Sequence, residues 1–243
     1  MNSQFEGSSL AALQGMPGVA SLGRPGAAQE SLDRAEALLD GVLREAPDDP
    51  AALEEKGWLL ASRWIFAPDT AAAAVLHTEA ADHFARAHAA AGAPGARLGQ
   101  LVVAKNRGHD LIWQNQADAA LPGLAGALAA LRAEPFPAEL YREALLLEVS
   151  LLNRLGDARY YTADMAGALA AYREAEALIS AQLEHGDAVI WVDRLGEARY
   201  NVGSTLAELP GRTEEALAVV RDGTAALRRV LAFGPDASIE KRL

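Results

Sequence analysis

The stretch "LLNRLGDARYYTADMAGALAAYREAEALI" (residues 151–179) decides the fold. Gly156 is followed by Ala168, Tyr172 and Ala175, at gaps of 12, 4 and 3. Gaps of 4 and 3 place the last three residues on one face of a helix. Two helices approach to about 8–10 Å only where the side chains at their crossing are small. A glycine on the first helix and alanines on the second supply such a crossing. The larger residue between the alanines fills the gap beside it and packs against the next pair.

The same spacing recurs along the chain. Gly108 is followed by Ala120, Leu124 and Ala127 with identical gaps, and Gly203 by Ala216, Val220 and Gly223 with one extra residue in the turn. Gly57 is followed at longer range by Ala80, Phe84 and Ala87, and a half unit at the start holds Ala35, Leu39, Val42 and then Pro47. Each helix pair leaves an apolar face uncovered, so the pairs must stack, and stacked pairs make a superhelical solenoid.

Working outward, the chain reads as helical nearly everywhere from about Glu30, with Ser31 as a helix cap and Ala35, Leu38, Leu39, Val42 and Leu43 as the first apolar set. "APDT" (67–70), "GAPG" (92–95), "EPFP" (134–137) and "PGR" (210–212) break it into about nine helices with no strand, one of them running from about 138 to 162. Residues 1–28 read as a flexible leader or linker, and 29–243 as one helical-repeat domain of about four repeats. Composition agrees: 51% of residues are hydrophobic but only 6% aromatic, so alanine and leucine carry the apolar content. That balance favours packed helices over sheets. There is no cysteine, which excludes disulfides and thiolate metal sites. A net charge of −11 without a basic stripe argues against nucleic acid as a partner. The leader has no basic start and only short apolar runs, so neither a signal peptide nor a membrane partner is expected, and the cytoplasm is the expected compartment.

These repeats resemble the tetratricopeptide repeat (TPR) family, whose signature runs W-x2-L-G-x2-Y…A-x3-F…A…P. "LNRLGDARYY…MAGALAAYREA" matches it best, "KNRGHDLIWQNQADAALPGLAGAL" (105–128) matches without the leucine, and Pro47 takes the family's proline place. The resemblance covers roughly residues 31–231 and implies an all-α, TPR-like right-handed α-solenoid of antiparallel helix pairs. The glycines at 57, 108, 156 and 203 lie 51, 48 and 47 residues apart, against a family period of about 34. The helices are therefore extended, and a HEAT-like repeat is the competing description. The repeats are also similar to the C-terminal regions of larger bacterial signalling proteins.

The resemblance further implies that the first helix of each pair lines a concave groove. It carries Lys105, His109 and Trp113, then Asn153, Asp157, Tyr160 and Tyr161, then Tyr200, Asn201 and Ser204 into that groove. Amides, hydroxyls and aromatics with a single lysine suit an extended peptide or a helix end. The family's version for acidic C-terminal peptides needs several cations there, and these are lacking. The competing reading makes Trp113, Tyr160 and Tyr172 packing residues, with Asn106, Asn153 and Asn201 bonding to neighbouring helices. Trp58 and Trp64 read either as a capping cluster or as an exposed patch.

Chemistry-bearing motifs are few. His77, Glu79, Asp82, His83 and His88 share one helix, but His77 and His83 point about 240° apart, so the set reads as a solvated face with no metal expected. No nucleophile elbow, P-loop, dinucleotide glycine motif or zinc-protease motif occurs. Carboxylate pairs at 48–49 and 54–55 sit at helix starts, where they complement the dipole. The expectation is a non-enzymatic module, without catalytic residues or cofactor, that binds a protein or peptide in a bacterial regulatory or scaffold system. Two alternatives stay open: a sensor domain for a small molecule or signalling peptide, and a self-association module forming a homodimer through solenoid ends, the last near "FGPDASIEKRL".

Overall fold

Prolines and aspartates set the helix starts. Pro25, Pro50 and Pro94 each open a helix, where the missing amide costs nothing. Asp49, Asp69 and Asp164 each cap one, accepting from the amides of Ala52, Ala72 and Gly167 at 2.8–2.9 Å. The computed structural model describes residues 25–184 and 188–231, and those residues are all-helical, without a strand. Their nine helices are α1 (Pro25–Glu45), α2 (Pro50–Arg63), α3 (Thr70–Ala91), α4 (Pro94–Trp113), α5 (Ala117–Ala133), α6 (Tyr141–Tyr161), α7 (Met165–Leu183), α8 (Ala188–Ala207) and α9 (Thr213–Leu231). Short 3-10 turns, Trp64–Phe66 and Ala138–Leu140, precede α3 and α6. Most of the expected leader, and the segment "DASIEKRL", lie outside the described residues. Ser31 is inside α1 rather than at its cap, because Pro25 starts that helix earlier. None of the described helices is long and apolar enough to cross a membrane.

Two compact units result. The first is the chain up to Asp110 together with Ala129–Leu146, and the second is Leu111–Leu128 together with the chain from Leu147 onward.

In the first unit the core is Leu53, Leu59, Leu60, Phe84 and Val103, covered by Leu32, Ala35, Leu39 and Leu43 of α1. Leu38 and Val42, expected in that stripe, face outward on α1. Phe84 seats on Gly57 of α2, where a Cβ would come within 2.7 Å of its ring, and also on Gly99 of α4, at 2.3 Å. Full burial of such a side chain stabilises by about 1.5–3 kcal/mol. Charge holds α1 as well: buried Lys56 bonds Glu36 at 2.9 Å and Asp40 at 2.6 Å, while Arg63 reaches Asp33 and Glu36.

The second unit repeats the arrangement with other side chains. Tyr172 of α7 seats on Gly156 of α6, Val220 of α9 on Gly203 of α8, and Leu227 on Gly196, with would-be Cβ contacts of 2.3–2.4 Å. Ala168, Tyr172, Val202, Leu206 and Ala216 form its core, with Tyr160 packed on the edge. Both α4 and α6 end the same way. Residue 115 or 163 turns left-handed, at φ 57 for Asn115 and 64 for Ala163. The next amide then reaches back five residues, from Gln116 to the Leu111 carbonyl and from Asp164 to that of Arg159.

Candidate binding face

In the second unit, Arg154 of α6 reaches Glu197 of α8 at 3.6 Å, and Tyr160 of α6 packs on the cluster that Ala168 and Tyr172 of α7 form with Val202 and Leu206 of α8. Asp157 anchors the inner edge of this pairing, accepting from the Tyr172 hydroxyl at 2.6 Å and from Arg154 at 2.7 Å. Arg194 completes a balanced chain by bonding Glu197 at 2.9 Å. Burial, then the Asp157 charge and hydrogen bond, push the Tyr172 phenol far up, so it stays a donor.

Beyond this network lies an aromatic patch. Tyr160 and Tyr161 meet edge to face, with ring centroids 5.6 Å apart and planes at 89°. Tyr200 and Ser204, four residues apart, share a stripe of α8 that Glu208 continues in the turn directly after it. Burial, and then the Glu208 charge, raise the Tyr160 phenol, with Tyr161 and Tyr200 acting the same way. Tyr161 and Tyr200 are 65% and 62% exposed. Among the described residues the hydroxyls of Tyr160, Tyr161 and Tyr200 have no hydrogen-bond partner, and Glu208 has no ion pair. Next to Tyr161 an open hollow of about 190 Å³ is lined by Ile112, Asn115, Ala117, Asp118 and Thr162.

The ten residues drawn from the sequence are thus placed differently from one another. Lys105 and His109 belong to the first unit and are buried, both against Trp64, with the Lys105 ammonium 6.0 Å from its ring and the His109 ring perpendicular to it. Asn153 is buried, and its side-chain carbonyl has no hydrogen bond among the described residues. The expected bonds to neighbouring helices are missing there and at buried Asn106, whose two amide atoms are also unbonded. Asp157 serves the network. Tyr160, Tyr161, Tyr200, Asn201 and Ser204 remain on or beside the patch, and Trp113, in the same unit, is 56% exposed.

Residue-type reasoning missed Glu208. Counting register finds it: Glu208 is five residues after Gly203, as Tyr161 is after Gly156 and Trp113 after Gly108. It also misread His77. That imidazole is not on a solvated face but only 2% exposed, its Nε2 2.8 Å from the Asp110 carboxylate. Asp110 takes the Trp64 indole donor as well, at 2.9 and 3.1 Å to its two oxygens. Trp64 is interior, and Trp58 packs edge-on against Phe84, so neither makes the exposed patch considered for them. No short motif announces the Asp110 cluster, because 33 residues separate it from His77.

No family model, curated protein or solved structure matches the chain. The function of the patch is therefore read from its own chemistry.

Proposed function

We propose that the chain is a non-catalytic protein-interaction module that binds an extended peptide or protein segment on the aromatic patch of its second unit. In this reading its helix pairs stack as a TPR-like right-handed α-solenoid, serving a bacterial regulatory or scaffold system in the cytoplasm. The observation that carries it is that Tyr160, Tyr161 and Tyr200, on two helices 40 residues apart in sequence, have unused hydroxyls, with the rings of Tyr161 and Tyr200 exposed. Tyrosine supplies large contact area at low entropic cost, and its hydroxyl bonds a peptide backbone. The glycine seats on three helix pairs support the stacking, since each brings its pair close in the way the repeat requires. The hollow beside Tyr161 is smaller than the roughly 300–1,000 Å³ of small-molecule sites, so it suits one side chain of a polymer better than a whole ligand.

The test is selection from a display library of random extended peptides, panned against wild type and against Tyr161→Ala/Tyr200→Ala. Both side chains are exposed, so the fold is retained. Peptides enriched on wild type should be lost on the double variant. Enrichment that is equal on both proteins, or none at all, would reject the reading.

A further inference from the structure

We propose that the hollow beside Tyr161 takes a basic side chain of the bound segment. The inference rests on the peptide-binding reading above and names the chemistry of one position in that segment. Ile112, Asn115, Ala117, Asp118, Tyr161 and Thr162 line the hollow of about 190 Å³, and all six belong to the second unit. Three parts of the fold meet there: the end of α4 with its left-handed Asn115, the first turn of α5, and the end of α6.

The lining accepts more than it donates. A carboxylate has no proton to give, and that of Asp118 is exposed, with neither ion pair nor hydrogen bond among the described residues. The Thr162 hydroxyl already donates to the Ala158 and Arg159 carbonyls, each at 3.0 Å, so toward the hollow it only accepts. The Asn115 amide and the Tyr161 hydroxyl, both unbonded among the described residues, each carry an oxygen that accepts as well. Backbone charge points the same way. The start of α5 offsets about half of the Asp118 charge, but the ends of α4 and α6 each add about half a negative charge. The last turn of α4 holds no basic residue, and Arg159 in that of α6 is taken by Asp164 and the Gly167 carbonyl. The complement is a positive group with donors only, carried on an apolar stem, which describes lysine and arginine. Buried Ile112 and Ala117, with the Tyr161 ring, supply the apolar wall for that stem.

Binding is measured by fluorescence anisotropy with a labelled alternating alanine–lysine peptide, at about 150 mM salt to screen diffuse attraction. A matched peptide carries acetyl-lysine, which keeps the stem and loses the charge. The lysine peptide should bind about ten-fold more tightly than the acetylated one. Asp118→Asn should weaken lysine binding about five-fold, and Asn115→Gly, which keeps the left-handed backbone, about three-fold. Asp222→Asn, at an exposed position of α9 outside the hollow, removes the same charge and should leave binding unchanged. Circular dichroism should show the same helicity in all three variants. Equal binding of the two peptides, or no binding of either, would overturn the basic assignment. Equal weakening by Asp118→Asn and Asp222→Asn would overturn the site, leaving only diffuse attraction to an acidic protein. If the library instead enriches peptides without lysine or arginine that need Tyr161 and Tyr200, the peptide-binding reading stands and the basic side chain falls.

Discussion

At the residue scale, Gly156 stands where two helices touch, whereas Ala163 stands where the backbone would prefer a glycine. A Cβ on Gly156 would sit 2.4 Å from the Tyr172 ring, which is pinned by its bond to Asp157 and cannot swing aside. Alanine would gain about 1 kcal/mol in helix propensity, but overpacking costs about 1–3 kcal/mol. Gly156→Ala should therefore destabilise, by up to about 2 kcal/mol once the two are set against each other. Ala163 is the reverse case. It is exposed and holds φ 64, a conformation that costs a residue with a Cβ about 1–2 kcal/mol. Ala163→Gly should stabilise by about 1 kcal/mol. Urea denaturation of both variants checks the pair, and a shift of the same sign in both would contradict it. The two sites also show what a sequence discloses. The Gly156 spacing is legible because contact leaves a repeating mark, whereas the strain at Ala163 leaves none.

At the scale of elements, Asp110 joins three of them. Its carboxylate holds the indole at the start of the Trp64–Phe66 turn and the imidazole of His77 on α3, while Asp110 itself belongs to α4. The geometry suits an imidazole that donates from Nε2, the assignment that satisfies the carboxylate. Asp110→Ala would strand two buried donors, and the stability lost should be about 2–4 kcal/mol. Asp110→Asn keeps one acceptor and should lose about half as much. Thermal melts followed by tryptophan fluorescence check both, since Trp64 would be released first. Equal, near-zero losses would mean that apolar packing alone holds the three elements. Helix number and most helix starts were legible from proline, aspartate and glycine, because these act locally. The Asp110 cluster was not, since burial of His77 depends on partners brought from 13 and 33 residues away. Of the residues assigned to a groove, register pointed to Tyr161 and Tyr200, which are exposed, but residue type drew attention to Lys105 and Asn153, which tertiary packing takes into the interior.

For the whole molecule, charge is the dominant long-range quantity. A net charge of −11 and an isoelectric point near 4.9 mean that the folded chain repels itself at neutral pH. Salt screens that repulsion over about 8–10 Å and also weakens the exposed pairs, such as Arg86 with Asp48 and Arg173 with Glu215. Exposed pairs are each worth little, so the net-charge effect should win. Raising salt from about 10 to 150 mM at pH 7.5 should therefore raise Tm by about 2–4 °C, the equivalent of about 1 kcal/mol in a chain of this length. A fall in Tm would show that the ion pairs matter more than the net charge.

Phe84 touches both Gly57 and Gly99, and this makes three positions one evolutionary character. Enlarging either glycine requires a smaller side chain at 84, and that smaller side chain leaves a hole beside the other glycine. A lineage can leave this arrangement only through an intermediate worse than either end, so the trio should be inherited as a block even while the surface around it drifts.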